Sequence, residues 1–170
     1  MERCPRDTEG ASTNMTRTTN ARIAGFTYLF YIAVALPNMV LFGRATSGVG
    51  PAAKLATIAR HASDVRVCVM LMLLSTFAAL VLAVTLYAIT REQDPDLAML
   101  ALTCRVGEGV IGALSIPSAL ALLWLATPAG VDASDTGATH VLGGYLLRGD
   151  MAVTAIFFAV GSTLLSLIHI

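Results

Sequence analysis

The stretch VCVMLMLLSTFAALVLAVTLYAI, from Val67 to Ile89, decides the fold class. It contains no charged residue, no proline and no glycine, and as a helix it is long enough to cross a hydrocarbon core of about 30 Å. Such a run is typical of a membrane-spanning helix, whose backbone hydrogen bonds close within the segment. Comparable apolar blocks occupy residues 23–42, 97–126 and 151–170. The sequence therefore predicts an all-α integral membrane bundle with about four transmembrane helices.

The composition supports this class and excludes others. Hydrophobic residues make up 56% of the chain and charged residues 13%, with a mean hydropathy of +0.74, whereas a soluble domain usually carries about 25% charged residues. The formal net charge is zero, so the chain lacks the basic balance typical of nucleic-acid binding. We expect a disordered polar tail over residues 1–20 and a single transmembrane domain over residues 21–170.

These features also predict location and partners. We expect a multi-pass protein of the cell membrane, with the bacterial plasma membrane as its place. Its partners should be the lipid bilayer and, beyond it, other membrane helices or further copies of the chain. Lys and Arg residues divide evenly between the two sides of the predicted topology, so the sequence does not indicate the orientation.

Two charged residues interrupt the apolar blocks, and both lie in the third. Arg105 and Glu108 are three residues apart, so they share a helical face and can form an ion pair. A central arginine costs about 2.5–3.5 kcal/mol on insertion scales, so it needs a partner or water. The pair is the candidate site. Its face is expected to point toward the first or second helix. It holds both charges and several small residues at spacings of four and three: Ala101, Arg105, Glu108, Gly112, Ser115 and Ala119.

Two interpretations of this pair stay open. In the functional one, Arg105 holds an anion or a substrate carboxylate inside the bundle, and Glu108 tunes it or carries a proton. In the structural one, the pair lies near an interface. Trp124 marks one membrane surface, and Arg105 lies about one span before it, where its side chain can reach headgroups by snorkelling.

Local signals indicate how the helices begin and meet. Asp94, Pro95 and Asp96 form a helix start: a capping aspartate, proline at the first position and an acid near the positive end of the dipole. The short turn before them makes the second and third helices an antiparallel hairpin. In the first block, small and polar residues share one face, expected to point into the bundle: Ala24, Tyr28, Tyr31, Ala35 and Asn38.

The first connection, residues 43–66, contains a candidate short helix. Leu55 and Ile58 share a face, opposed by Lys54 and Arg60. An amphipathic helix lying on the membrane surface and an ordinary solvated helix both fit this pattern.

Motifs for chemistry are missing from the sequence. It contains no phosphate-binding loop, no metalloprotease or hydrolase motif and no paired cysteines at metal-site spacing. Asp132, Asp135 and His140 match no standard metal site. We therefore expect no catalytic residue, no metal and no cofactor, and a role other than catalysis is favoured.

Two stretches carry a resemblance to a known family. They are Ala21-Arg22-Ile23-Ala24-Gly25-Phe26-Thr27-Tyr28-Leu29, at the start of the first helix, and Leu102-Thr103-Cys104-Arg105-Val106-Gly107-Glu108, in the third. The first of these, and the order of segments from about Ala21 to Gly161, resemble the bacterial membrane proteins grouped as domain of unknown function 4386. The resemblance places the family's early arginine of the third helix at Arg105. It implies no reaction or substrate, because the family has no established activity.

The end of the chain carries a separate expectation. Leu165-Ser166-Leu167-Ile168-His169-Ile170 matches the translation of a transposon-adapter end used in sequencing libraries, CTG TCT CTT ATA CAC ATC. Without it the fourth block would span about 21 Å, which is short of the hydrocarbon core. Members of the resembled family usually continue with further helices. We therefore expect a C-terminally truncated member whose native sequence continues past Leu164.

The function expected from the sequence is a structural or binding component of the membrane, of unknown biochemical activity. The alternative is a small transporter or channel subunit with a polar site at Arg105 and Glu108. An intramembrane enzyme is disfavoured because no nucleophile and base converge in the apolar blocks.

Overall fold

The computed structural model of the protein describes residues 6–127, 136–147 and 151–167. Within these ranges the chain is helical and has no strand, which confirms the predicted all-α class. Its helices are α1 Arg6–Ala45, α2 Pro51–Arg60, α3 Ala62–Thr90, α4 Pro95–Leu125, α5 Thr136–Leu146 and α6 Met151–Leu167. Outside the described residues lie 1–5 of the predicted tail, 128–135 with Asp132 and Asp135, and 168–170 of the predicted fourth span.

Three helical segments are long and apolar enough to cross a membrane: Arg17–Ala45, Ala62–Thr90 and Pro95–Leu125. They correspond to the first three predicted spans. Helix α6 is also apolar, but its 17 residues extend only about 26 Å at helical rise. Where the sequence predicted about four spans, the described residues therefore form three full-length spans and a shorter fourth helix packed against α4.

Helix α1 begins within the segment for which the sequence predicted a polar tail. The helix begins at Arg6, so it includes most of residues 1–20. Nucleating a helix is costly, but each residue added to an existing helix gains a hydrogen bond. A polar segment can therefore extend the apolar part of α1 beyond the hydrocarbon without its own hydrophobic face.

The long helices pack in sequence order, α1 along α3 and α3 along α4. The α3–α4 turn ends as predicted: the Asp94 side chain accepts a 3.0 Å hydrogen bond from the Leu97 amide, and Pro95 opens the helix. Within the α1–α3 contact, the Cys68 thiol donates to the Asn38 carbonyl oxygen at 3.8 Å.

Glycines let α6 lie close to α4. A Cβ placed on Gly107 would meet the Phe157 ring at 2.9 Å, and a Cβ on Gly161 would lie 3.4 Å from the Cys104 Cβ. Close approach at small residues is the usual basis of helix association in membranes, where burial of apolar surface from lipid supplies little driving force.

A buried apolar cluster lies at one end of the bundle. Leu55 and Ile58 of α2 pack against the ends of α1, α3 and α4, in a cluster with Ala45, Val65, Leu122 and Leu125. Helix α5 joins this end, since a Cβ on Gly143 would lie 3.0 Å from a Leu55 methyl carbon. The apolar face of α2 thus covers the bundle end, which decides against a surface helix that inserts this face into lipid.

Candidate functional site

Arg105 and Glu108 are brought together on α4, as their spacing predicts. Their ion pair joins Arg105 Nη1 to Glu108 Oε2 at 2.8 Å. Arg105 is 7% exposed and Glu108 is 3% exposed, so both are buried. Two opposite charges at hydrogen-bond distance offset part of the desolvation that burial imposes on each.

Both members of the pair have further partners on other helices. The Tyr31 hydroxyl of α1 donates a 3.0 Å hydrogen bond to Glu108 Oε1. Arg105 Nη2 donates a 2.8 Å hydrogen bond to the Ser162 hydroxyl of α6. The polar network of Tyr31, Arg105, Glu108 and Ser162 therefore connects three helices that are separate in sequence.

The arginine stem and its charged head are enclosed by α6. The Phe158 ring centroid lies 4.8 Å from Arg105 Cζ, which is the geometry of a cation–π contact. A Cβ on Gly161 would lie 3.6 Å from Arg105 Cγ and Cδ, so the missing side chain at this position lets α6 approach the stem. Helix α6 thus supplies a hydroxyl, an aromatic face and close backbone packing to one residue.

The network lies inside the span and not at its end. Glu108 is within one turn of Val110, which lies halfway along the 31 residues of α4. Arg105 lies about 7 Å from the same point. Its guanidinium is held by Glu108 and Ser162 in the bundle, which differs from the snorkelling interpretation, in which it reaches headgroups.

Part of this network follows from the sequence. Tyr31 belongs to the face of α1 that is predicted to point into the bundle, and its hydroxyl contacts Glu108. Ser162 was not predicted, because nothing in the sequence distinguishes it from the other serines of the apolar segments. Two predicted inward residues, Tyr28 and Ser115, are exposed instead. The Ser115 hydroxyl lies 3.5 Å from the Ile111 carbonyl oxygen of its own helix, so it needs no partner from another.

Three buried side-chain atoms have no hydrogen-bond partner among the described residues: Asn38 Oδ1, Ser75 Oγ and Arg105 Nε. Of these atoms, Arg105 Nε bears most on function, because it belongs to the charged guanidinium of the ion pair and carries an N–H donor. The Nε–H group can therefore donate to an acceptor such as a carboxylate, a carbonyl or water.

Cavities of the described bundle lie away from the network. One of about 220 Å³ is lined by α2, α4 and α5, and another of about 590 Å³ lies between α2 and α5. Neither includes Arg105 or Glu108 in its lining. Among the described residues, no group of three or more His, Cys, Asp or Glu side chains is placed to hold a metal ion.

A family model described as a domain of unknown function (DUF4386) matches residues 23–170. The match includes the Arg105–Glu108 segment and most of the opening stretch of the first span. No curated protein and no solved structure matches the chain.

Proposed function

The chain belongs to the family described as a domain of unknown function (DUF4386), and from its long apolar helices and buried polar network we propose a structural or binding role in the membrane. We place it as a multi-pass component of the bacterial plasma membrane, in contact with lipid and able to pack against other membrane helices or further copies. The polar network of Tyr31, Arg105, Glu108 and Ser162 acts in this role as a cross-link between helices.

One observation carries the structural role: both charges form hydrogen bonds with protein groups, and these groups come from three helices. Glu108 accepts hydrogen bonds from Arg105 and Tyr31, and Arg105 also donates to Ser162. The bonds to Tyr31 and Ser162 hold α4 at a defined rotation against α1 and α6. Burying one of these charges without its partner is strongly unfavourable, so helix arrangements that separate the network are disfavoured.

The test compares a variant that lacks one charge of the Arg105–Glu108 pair with a variant that lacks both. We expect Glu108→Ala to destabilise the protein by about 3–5 kcal/mol, because it leaves the Arg105 charge buried and unpaired. The double variant Arg105→Met with Glu108→Leu removes both charges and should lose less. Folded yield and thermal unfolding in a neutral detergent measure the difference. Equal losses, or a larger loss for the double variant, would contradict a buried cross-link.

A second candidate is the small transporter or channel subunit, and the unpartnered Arg105 Nε favours it. In this function Arg105 binds an anion or a carboxylate that enters from water, and Glu108 balances the charge or carries a proton. The cross-link requires no water at the network, whereas transport requires an aqueous route to it.

Access from water separates the two candidates. We would introduce Ser162→Cys into a chain whose natural cysteines are replaced by alanine, and treat intact membranes with a charged methanethiosulfonate reagent. The structural cross-link predicts no modification before denaturation and full modification after it. Modification in intact membranes would favour the transporter, because only a hydrated route brings the charged reagent to Ser162.

A further inference from the structure

Among the side chains that the structure describes, the two ends of the bundle differ in net charge. The described segment 43–66 includes α2 and the adjoining ends of α1 and α3. It carries four basic residues: Arg44, Lys54, Arg60 and Arg66. Arg44, Arg60 and Arg66 are exposed, and Lys54 is half-buried. The segment has a single acidic residue, Asp64, whose Oδ2 lies 3.0 Å from His61 Nδ1. The segment therefore presents a net positive surface, which we call the basic end.

The opposite end of the described bundle has a different balance. The turn between α3 and α4 and the start of α4 carry Glu92, Asp94 and Asp96 with Arg91. Arg17 and Arg22 of α1 bring this end close to neutrality. Asp132 and Asp135, between α4 and α5, and Arg148 and Asp150, between α5 and α6, lie outside the described residues and are counted in the charge of neither end.

The depth of the basic residues corresponds to lipid headgroups. Arg44 lies in the last turn of α1, and Arg66 lies near the start of α3, so both are at the ends of membrane-spanning segments. Exposed aromatic residues occur at the same end, with Trp124 at the end of α4 and Tyr145 on α5. Arginine, lysine and aromatic residues at this level are typical of the interface between hydrocarbon and water.

Helix α2 is held in a fixed position at this depth. Its apolar residues Leu55 and Ile58 are buried against the ends of α3 and α4, and α5 packs on it through Gly143. Because the apolar face is occupied by protein, the cationic residues of α2 occupy the remaining sides of the helix. Their positions are set by the fold before any ligand arrives, which lowers the ordering cost of binding.

We propose that the basic end binds the phosphate headgroups of anionic phospholipids. The net charge is complementary to such lipids, the residues lie at headgroup depth, and the aromatic side chains anchor the same level. A polybasic segment beside a membrane span is attracted to an anionic leaflet over roughly one Debye length.

Native mass spectrometry of the full chain tests this proposal. The protein would be released from neutral detergent micelles containing equimolar phosphatidylglycerol and phosphatidylcholine, and lipid adducts would be counted. We expect phosphatidylglycerol adducts to outnumber phosphatidylcholine adducts on the natural chain. In the triple variant Lys54→Gln, Arg60→Gln, Arg66→Gln, the ratio of the two adducts should fall by about fivefold or more. Raised salt should reduce the excess in the natural chain.

A matched control carries the same charge change at the other end: Arg17→Gln, Arg22→Gln and Arg91→Gln. It should keep the phosphatidylglycerol excess. A second variant, Lys54→Arg with Arg60→Lys and Arg66→Lys, retains the charge and should also keep it, which separates loss of charge from damage to the fold. Equal adduct ratios in the natural chain and the first triple variant, or an equal reduction by the control, would overturn the proposal.

Discussion

Tyr31 and Glu108 lie 77 residues apart in the chain, yet the Tyr31 hydroxyl donates a 3.0 Å hydrogen bond to the Glu108 carboxylate. The bond joins α1 to α4, although most of the packing of α1 is with α3. The relationship means that the position of the first helix is coupled to the charge pair on the third span.

Tyr31→Phe removes this hydrogen bond and little else. We expect a loss of about 1.5–3 kcal/mol in unfolding free energy, because the acceptor is a charged, buried carboxylate. Thermal unfolding in neutral detergent measures it. Tyr28→Phe makes the same chemical change on the same helix at an exposed position and should have little effect. Equal shifts from the two variants would show that the Tyr31 hydroxyl does not stabilise the bundle.

Gly107 and Gly25 provide a paired test of the α4–α6 contact. A Cβ on Gly107 would meet the Phe157 ring at 2.9 Å, whereas a Cβ on Gly25 meets nothing within 4 Å. Gly25→Ala should stabilise by about 0.5–1 kcal/mol through helix propensity. Gly107→Ala should destabilise by about 1–3 kcal/mol through overpacking.

The aromatic ring explains the expected difference, so shortening it should restore stability. Phe157→Leu in the Gly107→Ala background is expected to recover part of the loss in the thermal unfolding of the purified protein. Stabilisation by both alanine substitutions would indicate that α6 does not lie against α4 at this level.

Much of this architecture follows from the sequence, because its signals are local. Apolar run length predicts the spans, the Asp94-Pro95 pair predicts the start of α4, and a spacing of three predicts the contact between Arg105 and Glu108. These features depend on one helix at a time, so a single chain segment contains the information.

What the sequence could not predict depends on how separate helices meet. Ser162 reaches Arg105 only because α6 packs closely on α4 through Gly107 and Gly161, and a serine in an apolar helix carries no sign of this. The burial of Leu55 against Leu122 likewise depends on α2 folding back over the bundle. Amphipathic periodicity shows that a face is apolar, but not whether protein or lipid covers it.

The cluster beneath α2 should contribute more stability than the faces turned to lipid. Leu122 is 2% exposed and belongs to this cluster, while Leu120 on the same helix is 48% exposed. We expect Leu122→Ala to cost about 2–5 kcal/mol, because a cavity remains in packed protein. Leu120→Ala should have a small effect, since lipid replaces the lost contacts. Chemical denaturation in detergent compares them, and a larger loss at Leu120 would contradict the assigned core.

The helix order predicts which loops share a side of the membrane. Because α1, α3 and α4 are each long and apolar enough to cross a bilayer, we expect Ser47, between α1 and α2, to lie on the side opposite Gln93 in the α3–α4 turn. Val141 on α5 should lie on the side of Ser47, because α5 packs on α2.

Single cysteines at these three positions, in a chain lacking its natural cysteines, would be treated with a membrane-impermeant maleimide in oriented vesicles. We expect Ser47→Cys and Val141→Cys to react from one side and Gln93→Cys from the other, with all three reactive after solubilisation. Reaction of Ser47→Cys and Gln93→Cys from the same side would mean that α3 does not cross the bilayer, and the three-span arrangement would be wrong.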